Sequence, residues 1–264
     1  MTAERRSPAA PTPTGPSLAG LRAVVTGGSS GIGRGIALAF AGAGADVEIV
    51  FHRSEAAAET VAAEARALGA CASTLRADLG RPEEAHRLVR DAFDRLEAVD
   101  VWVNAAGEDI LTGDGRALPL EEKLERLIAV DLRGTVLCSW DVAERMRAVR
   151  GGVILNVSWD RALSGMAGPE AQVFSAVKGG VQGFSRSLAL TVAPAVRVNV
   201  LAPGWIATAF AAELDEPARH RIAEATPMRR WGTPADVAAA AVFLASPAAA
   251  FLTGVVLPVN GGGA

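Results

Sequence analysis

The run Thr26-Gly27-Gly28-Ser29-Ser30-Gly31-Ile32-Gly33 follows an apolar segment and opens a helix-forming one. Glycine lets the chain turn tightly and approach a ligand closely, so backbone N–H groups and the positive end of a helix can meet a pyrophosphate. Gly27, Ser29, Ser30, Gly31, Ile32 and Gly33 are the residues that would do so. An ordinary flexible strand-to-helix turn would use the same residue types. A second candidate is Phe51-His52-Arg53-Ser54, at the end of the next apolar segment. A carboxylate there would hold two ribose hydroxyls and repel a 2′-phosphate. None is present; Arg53 can pair bidentately with a phosphate and Ser54 adds a hydroxyl. The plainer alternative is a solvated surface arginine.

Carboxylates are the candidates for proton transfer. Asp160 follows one apolar segment, Glu108 and Asp109 follow another, and Asp131 lies in a long helical stretch. Burial and neighbouring negative charge would raise one pKa into a useful range, whereas a close lysine would oppose the rise. Each also has a plain role: Asp160 as a turn cap, Glu108 and Asp109 as solvated loop charges, Asp131 as an acceptor of backbone hydrogen bonds. Phe174 and Lys178 are four residues apart, which stacks them on one helix face. Ser158 would orient a substrate or merely satisfy backbone groups, and Gln172 would reach substrate from the helix entry. Of the histidines, only His220 has a place near substrate, and surface positions suit all three. No combination has metal-ligand spacing. Cys71 and Cys138 are far apart and read as small buried hydrophobes.

The elements that must position these groups are legible from periodicity. Runs rich in Val, Ile and Leu at 22–26, 46–51, 71–76, 99–103, 152–158, 195–201 and 255–259 predict strands. Stretches such as 55–69 and 82–97 repeat apolar residues at helical spacing. The alternation predicts an α/β fold: one Rossmann-type doubly wound domain over 19–264 with a seven-stranded parallel sheet. Residues 204–233, with Trp205, Pro217, Pro227 and Trp231, fit a lid over the ligand crevice or a packed helical insertion. Residues 1–18 carry prolines at 8, 11, 13 and 16 and read as a disordered tail, neither signal nor span.

At 264 residues, 50 % hydrophobic and 21 % charged, the chain has the profile of a globular enzyme. A net charge of −3 favours neither nucleic acid nor anionic membrane as partner. A reducing cytoplasm fits the cysteine usage.

Over residues 20–263 the chain resembles the short-chain dehydrogenase/reductase family. Gly27, Gly31 and Gly33 match its TGxxxGxG pattern; Asp78, before Leu79, looks like its adenine-binding residue. Asn104-Ala105-Ala106-Gly107 resembles its NNAG segment, with Ala105 replacing the second asparagine. Pro203-Gly204 with Ile206 and Thr208, and Val259-Asn260-Gly261-Gly262, follow in the family's order. The resemblance implies that Ile206 and Thr208 meet the nicotinamide carboxamide and that Lys178 holds the ribose. It also implies pairing into a homodimer or homotetramer through the long helices covering about 120–147 and 174–192.

The family's catalytic set combines Asn, Ser, Tyr and Lys, with Tyr and Lys as YxxxK. Here the motif reads Phe174-Ser175-Ala176-Val177-Lys178, and the chain contains no tyrosine at all. Trp159 falls at the usual serine position after Ser158, Asp131 at the asparagine position, and the stretch from Asn156 to Phe174 is longer than the family's. The expected function is therefore reduction or oxidation of a small carbonyl or alcohol, with NADP(H) favoured over NAD(H) and a rebuilt proton-transfer site. Asp160 or water would handle the proton beside Lys178. The alternatives are a non-redox dehydratase, isomerase or cyclase on the same scaffold, or a silent cofactor-binding member.

Overall fold

Seven short segments pair side by side as one parallel sheet, and the central ones are rich in Val, Ile and Leu because strands covered on both faces need no polar alternation. They are β1 (Arg22–Thr26), β2 (Asp46–Phe51), β3 (Ala72–Arg76), β4 (Val101–Asn104), β5 (Gly152–Val157), β6 (Val196–Pro203) and β7 (Val256–Val259). The computed structural model describes residues 16–263, so the expected tail lies almost wholly outside the described residues. The strand order is β3-β2-β1-β4-β5-β6-β7, which confirms the doubly wound sheet. β1 pairs with β2 on one side and β4 on the other, so the chain reverses its winding there. A crevice opens at such a switch point, outside the carboxyl ends of the strands.

Helices cover both faces. On one lie α1 (Gly31–Gly42), α2 (Glu55–Ala67) and α10 (Pro234–Ala245), contributing Ile36, Phe40, Val61 and Val237 to one core layer. On the other lie α3 (Pro82–Leu96), α6 (Thr135–Ala148) and α7 (Pro169–Val192), contributing Leu88, Val142 and Leu188. Each such side chain taken out of water contributes about 1.5–3 kcal/mol before chain entropy is charged against it. A short α4 (Gly113–Arg116) and α5 (Leu120–Leu127) lie between β4 and α6.

Two expected helices have different limits. The stretch 120–147 is α5, a π-helical segment Ile128–Gly134, and α6 in continuous succession. The wider turn inserts a residue into the helical register, a feature that apolar periodicity does not report. The helix expected over 174–192 begins at Pro169, where proline suits a first turn because its missing N–H is not needed. One expectation is corrected: Cys71 is exposed, because it precedes the edge strand β3, whereas Cys138 is buried as read. Residues 204–233 fold as α8 (Ala209–Ala212) and α9 (Glu216–Ala225) around Trp205. The Trp205 ring lies 5.8 Å from those of both Phe210 and Trp231, and the Trp231 indole donates to the Arg219 carbonyl.

Candidate active site

A cavity of about 850 Å³ opens at the carboxyl ends of β1 and β4, with the glycine turn at one end and Ser158, Phe174 and Lys178 at the other. The turn fits a pyrophosphate on its own geometry. Gly27 has φ +66° and Gly31 φ +53°, values that favour glycine. A Cβ on Gly27 would come 2.8 Å from the Ala106 Cα, and one on Gly33 would collide with the Gly27 carbonyl. No side chain caps α1 and its first turn holds no acid, so its leading N–H groups and positive end are left for an anion. Ser29, Ser30 and Ile32 line the same wall.

Thr26 fixes the opposite wall. Its Oγ1 accepts from the N–H groups of Ala105 and Ala106, each at 3.1 Å, tying the β4 loop to β1. The tie is therefore made by the Ala105 backbone and needs no polar side chain at that position. Gly107 lines the cavity, but Asn104 does not. Its amide instead bridges Asn156 at 2.8 Å and Ser139 at 3.0 Å, while its oxygen accepts from the buried Trp102 indole at 2.8 Å. That network pins β4 to β5 and α6 beneath the site, as a buried amide requires.

At the outer end Asp78 and Leu79 face the cavity, and the Asp78 carboxylate accepts from the Gly80 N–H at 3.0 Å. Arg53 is 71 % exposed and Ser54 lies beside it. The end of β2 has no acid of its own, yet Glu108 from the β4 loop brings Oε1 to 4.0 Å from Arg53 and 3.4 Å from Arg126. Sequence distance hid that pairing. Asp109 lines the cavity, but its Oδ1 accepts from the N–H groups of Leu111 and Thr112, so it shapes the loop.

At the inner end the Lys178 ammonium lies 2.8 Å from the Asp131 carboxylate, with Asp131 only 2 % exposed. The other Asp131 oxygen accepts from the Glu108 N–H at 2.8 Å. The π-helical segment carries Asp131 to this place. Lys178 also donates to the Val157 carbonyl at 3.3 Å. Ser158 donates to the Lys178 carbonyl at 2.9 Å and accepts from Gln182 at 3.2 Å, so its hydroxyl proton is committed. Phe174 lies one turn before Lys178, its ring 6.0 Å from that of Trp159.

Other expected residues lie apart. Asp160 does not line the cavity; its Oδ2 accepts from Asn260 at 3.1 Å and its buried Oδ1 has no partner among the described residues. Burial pushes the Asp160 carboxyl up, against the opposing hydrogen bond from Asn260. Pro203, Gly204 and Ile206 flank that side without lining the cavity, and Thr208 alone of that stretch reaches it. Gln172 is exposed and outside, and His220 lies on α9 beside Glu224. Among the described residues no group of three potential ligands could hold a metal ion, and no helix is long and apolar enough to cross a membrane.

A doubly wound sheet with a glycine turn at its switch point and a buried lysine at the far end of one crevice defines a dinucleotide-binding α/β protein. Residues 27–263 match the family model described as enoyl-(acyl carrier protein) reductase. A 3-oxoacyl-[acyl-carrier-protein] reductase from Synechocystis is 37 % identical over 91 % of this chain and 95 % of its own. Among solved structures, a 7α-hydroxysteroid dehydrogenase complexed with NADH and 7-oxo glycochenodeoxycholic acid superposes with a TM-score of 0.85 at 33 % identity, covering 94 % of this chain and 95 % of that one. A Beutenbergia cavernae protein assigned as an NAD(P)-dependent gluconate 5-dehydrogenase, with NADP bound at low occupancy, gives a TM-score of 0.84 at 36 % identity, over 94 % and 98 %. The chain belongs to the short-chain dehydrogenase/reductase family of oxidoreductases.

Proposed function

We propose that this chain reduces a small carbonyl compound, or oxidises the corresponding alcohol, with NADP(H) preferred over NAD(H). The observation that carries the reading is one cavity running from the glycine turn past Arg53 to Lys178. The turn Gly27–Gly33 would hold the pyrophosphate, Arg53 and Ser54 the 2′-phosphate, Asp78 the adenine, and Thr208 and Lys178 the nicotinamide end. The dinucleotide, when bound, supplies or accepts the hydride.

Phe174 stands at the family's tyrosine position and has no proton to exchange. Asp160, the expected substitute, turns toward Asn260. The proton-bearing pair inside the cavity is Lys178 with Asp131, so Lys178 gives a proton to the substrate oxygen in the direction of reduction. Left as an amine beside the Asp131 carboxylate, it takes one back from water.

Mixing the purified protein with NADPH and a panel of aldehydes and ketones should consume the reduced-nicotinamide absorbance. No loss of that absorbance with any carbonyl would overturn the reading, and a product of unchanged oxidation state would favour a dehydratase, isomerase or cyclase.

We further propose that residues 204–233 cover the crevice as a lid, supported by Thr208 in its wall, and that NADPH protects them from limited proteolysis. A second copy would pair through α6 and α7. A groove of about 700 Å³ between those helices, with Trp140 half exposed, supports this pairing, which sedimentation would detect.

A further inference from the structure

We propose that Glu108 sets how strongly the chain discriminates NADP(H) from NAD(H), by sharing its carboxylate between Arg53 and Arg126. The inference rests on the assignment of Arg53 to a 2′-phosphate. Glu108 leaves β4 directly after Gly107, and its side chain is only 17 % exposed. Its backbone N–H is fixed by the Asp131 carboxylate at 2.8 Å, so the residue is anchored in the cavity wall and its side chain reaches outward from there. Oε1 then lies 3.4 Å from Arg126 and 4.0 Å from Arg53. Arg126 does not neutralise it alone, because the same guanidinium holds Glu122 at 2.6 Å.

A carboxylate at that distance competes with a phosphate for the Arg53 N–H donors and repels the phosphate charge. Ribose hydroxyls suffer no such penalty and can donate to it. Glu108 thus brings from β4 the acid that the end of β2 lacks, and it holds the preference for the phosphorylated dinucleotide below what Arg53 alone would give. Arg126 sets how much of the negative charge Arg53 feels.

Dissociation constants for NADPH and NADH, measured by titration calorimetry on the full chain, test this without turnover. Glu108→Gln keeps the side-chain length and the backbone tie. It should tighten NADPH by about fivefold, the size of one partly exposed charge pair, and leave NADH unchanged or weaker. Arg126→Gln should move NADPH the other way. In an Arg53→Gln background the gain from Glu108→Gln should shrink to less than about twofold, since coupled residues are not additive. The inference is overturned if Glu108→Gln shifts both dinucleotides by one factor, or if its gain persists undiminished without Arg53. The underlying cofactor reading fails in a distinguishable way, through an Arg53→Gln variant that binds NADPH as tightly as the parent. That outcome would take the role of Glu108 with it.

Discussion

The two ends of the crevice are built from different materials. The glycine-turn part of the outer end is made of backbone: glycines with positive φ, the uncapped start of α1 and a loop tied by Thr26, with the Arg53, Asp78 and Glu108 side chains set beside it. In that turn the tie to Thr26 uses the backbone N–H groups of Ala105 and Ala106, not their side chains. The inner end is made of side chains brought from three elements, Asp131 from the π-helical segment, Ser158 after β5, and Phe174 and Lys178 from α7. A backbone site tolerates changes of residue type except where a Cβ would collide. A side-chain site can be rebuilt by a few substitutions while the fold stays as it was.

The largest expected effect tests whether the inner end stands on its ion pair. Lys178→Met strands the buried Asp131 carboxylate and should cost about 3–5 kcal/mol. At roughly 2–4 °C per kcal/mol for a chain of this size, thermal unfolding would read it directly. Adding Asp131→Leu should restore much of that loss without restoring turnover. A single variant that melts like the parent would show that the pair is not what orders this end.

Phe174→Tyr sharpens the contrast from the opposite direction. It places a phenol one helical turn from Lys178 and should raise kcat with carbonyl substrates by on the order of 100-fold, the usual worth of a positioned acid. Unchanged kcat would mean that proton supply does not limit the reaction.

At the outer end, Gly33→Ala should lower stability by about 1–3 kcal/mol, because its Cβ meets the Gly27 carbonyl. NADPH affinity should fall with it, while substitutions at Ala105 should be mild. Equal tolerance at both positions would remove the claim that backbone shape defines this end.

The smallest effect belongs to Asp160→Asn, which should leave kcat within about twofold, a change under 0.5 kcal/mol. Burial raises the folded pKa of this carboxyl above its ordinary 3.8. Its contribution is therefore full below 3.8 and is lost as pH rises through the raised folded value. The variant, neutral at every pH, should flatten that decline in a melting-temperature profile. A large loss of kcat would return Asp160 to the chemistry.

Much of the fold was legible because strands such as β4 and β5 are mostly apolar runs and the glycine turn follows β1 directly. The glycine turn was legible for a similar reason: its residues are contiguous, whereas the Arg53–Glu108 pairing beside it was not. The inner end was only partly so. Asp131 and Lys178 were each named, but their contact depends on a π-helical register that periodicity averages away. Asp160 was placed on the correct loop, yet the direction of its side chain is set by Asn260, far along the chain. Asn104 sits in a recognisable segment, but its buried partners Ser139 and Asn156 come from separate elements. Glu108 and Arg53 meet because β2 and β4 both flank β1 in the sheet, an order the sequence does not print.

The Asp131–Lys178 pair has one further consequence. Its opposite charges cancel at the depth of the crevice, so this pair presents a dipole there rather than an ion. A dipole draws an uncharged carbonyl by orienting it, whereas a carboxylate entering the same place would be attracted by one partner and repelled by the other. Selection by the buried end would accordingly follow polarity and shape, leaving the recognition of net charge to the arginines and acids around the mouth.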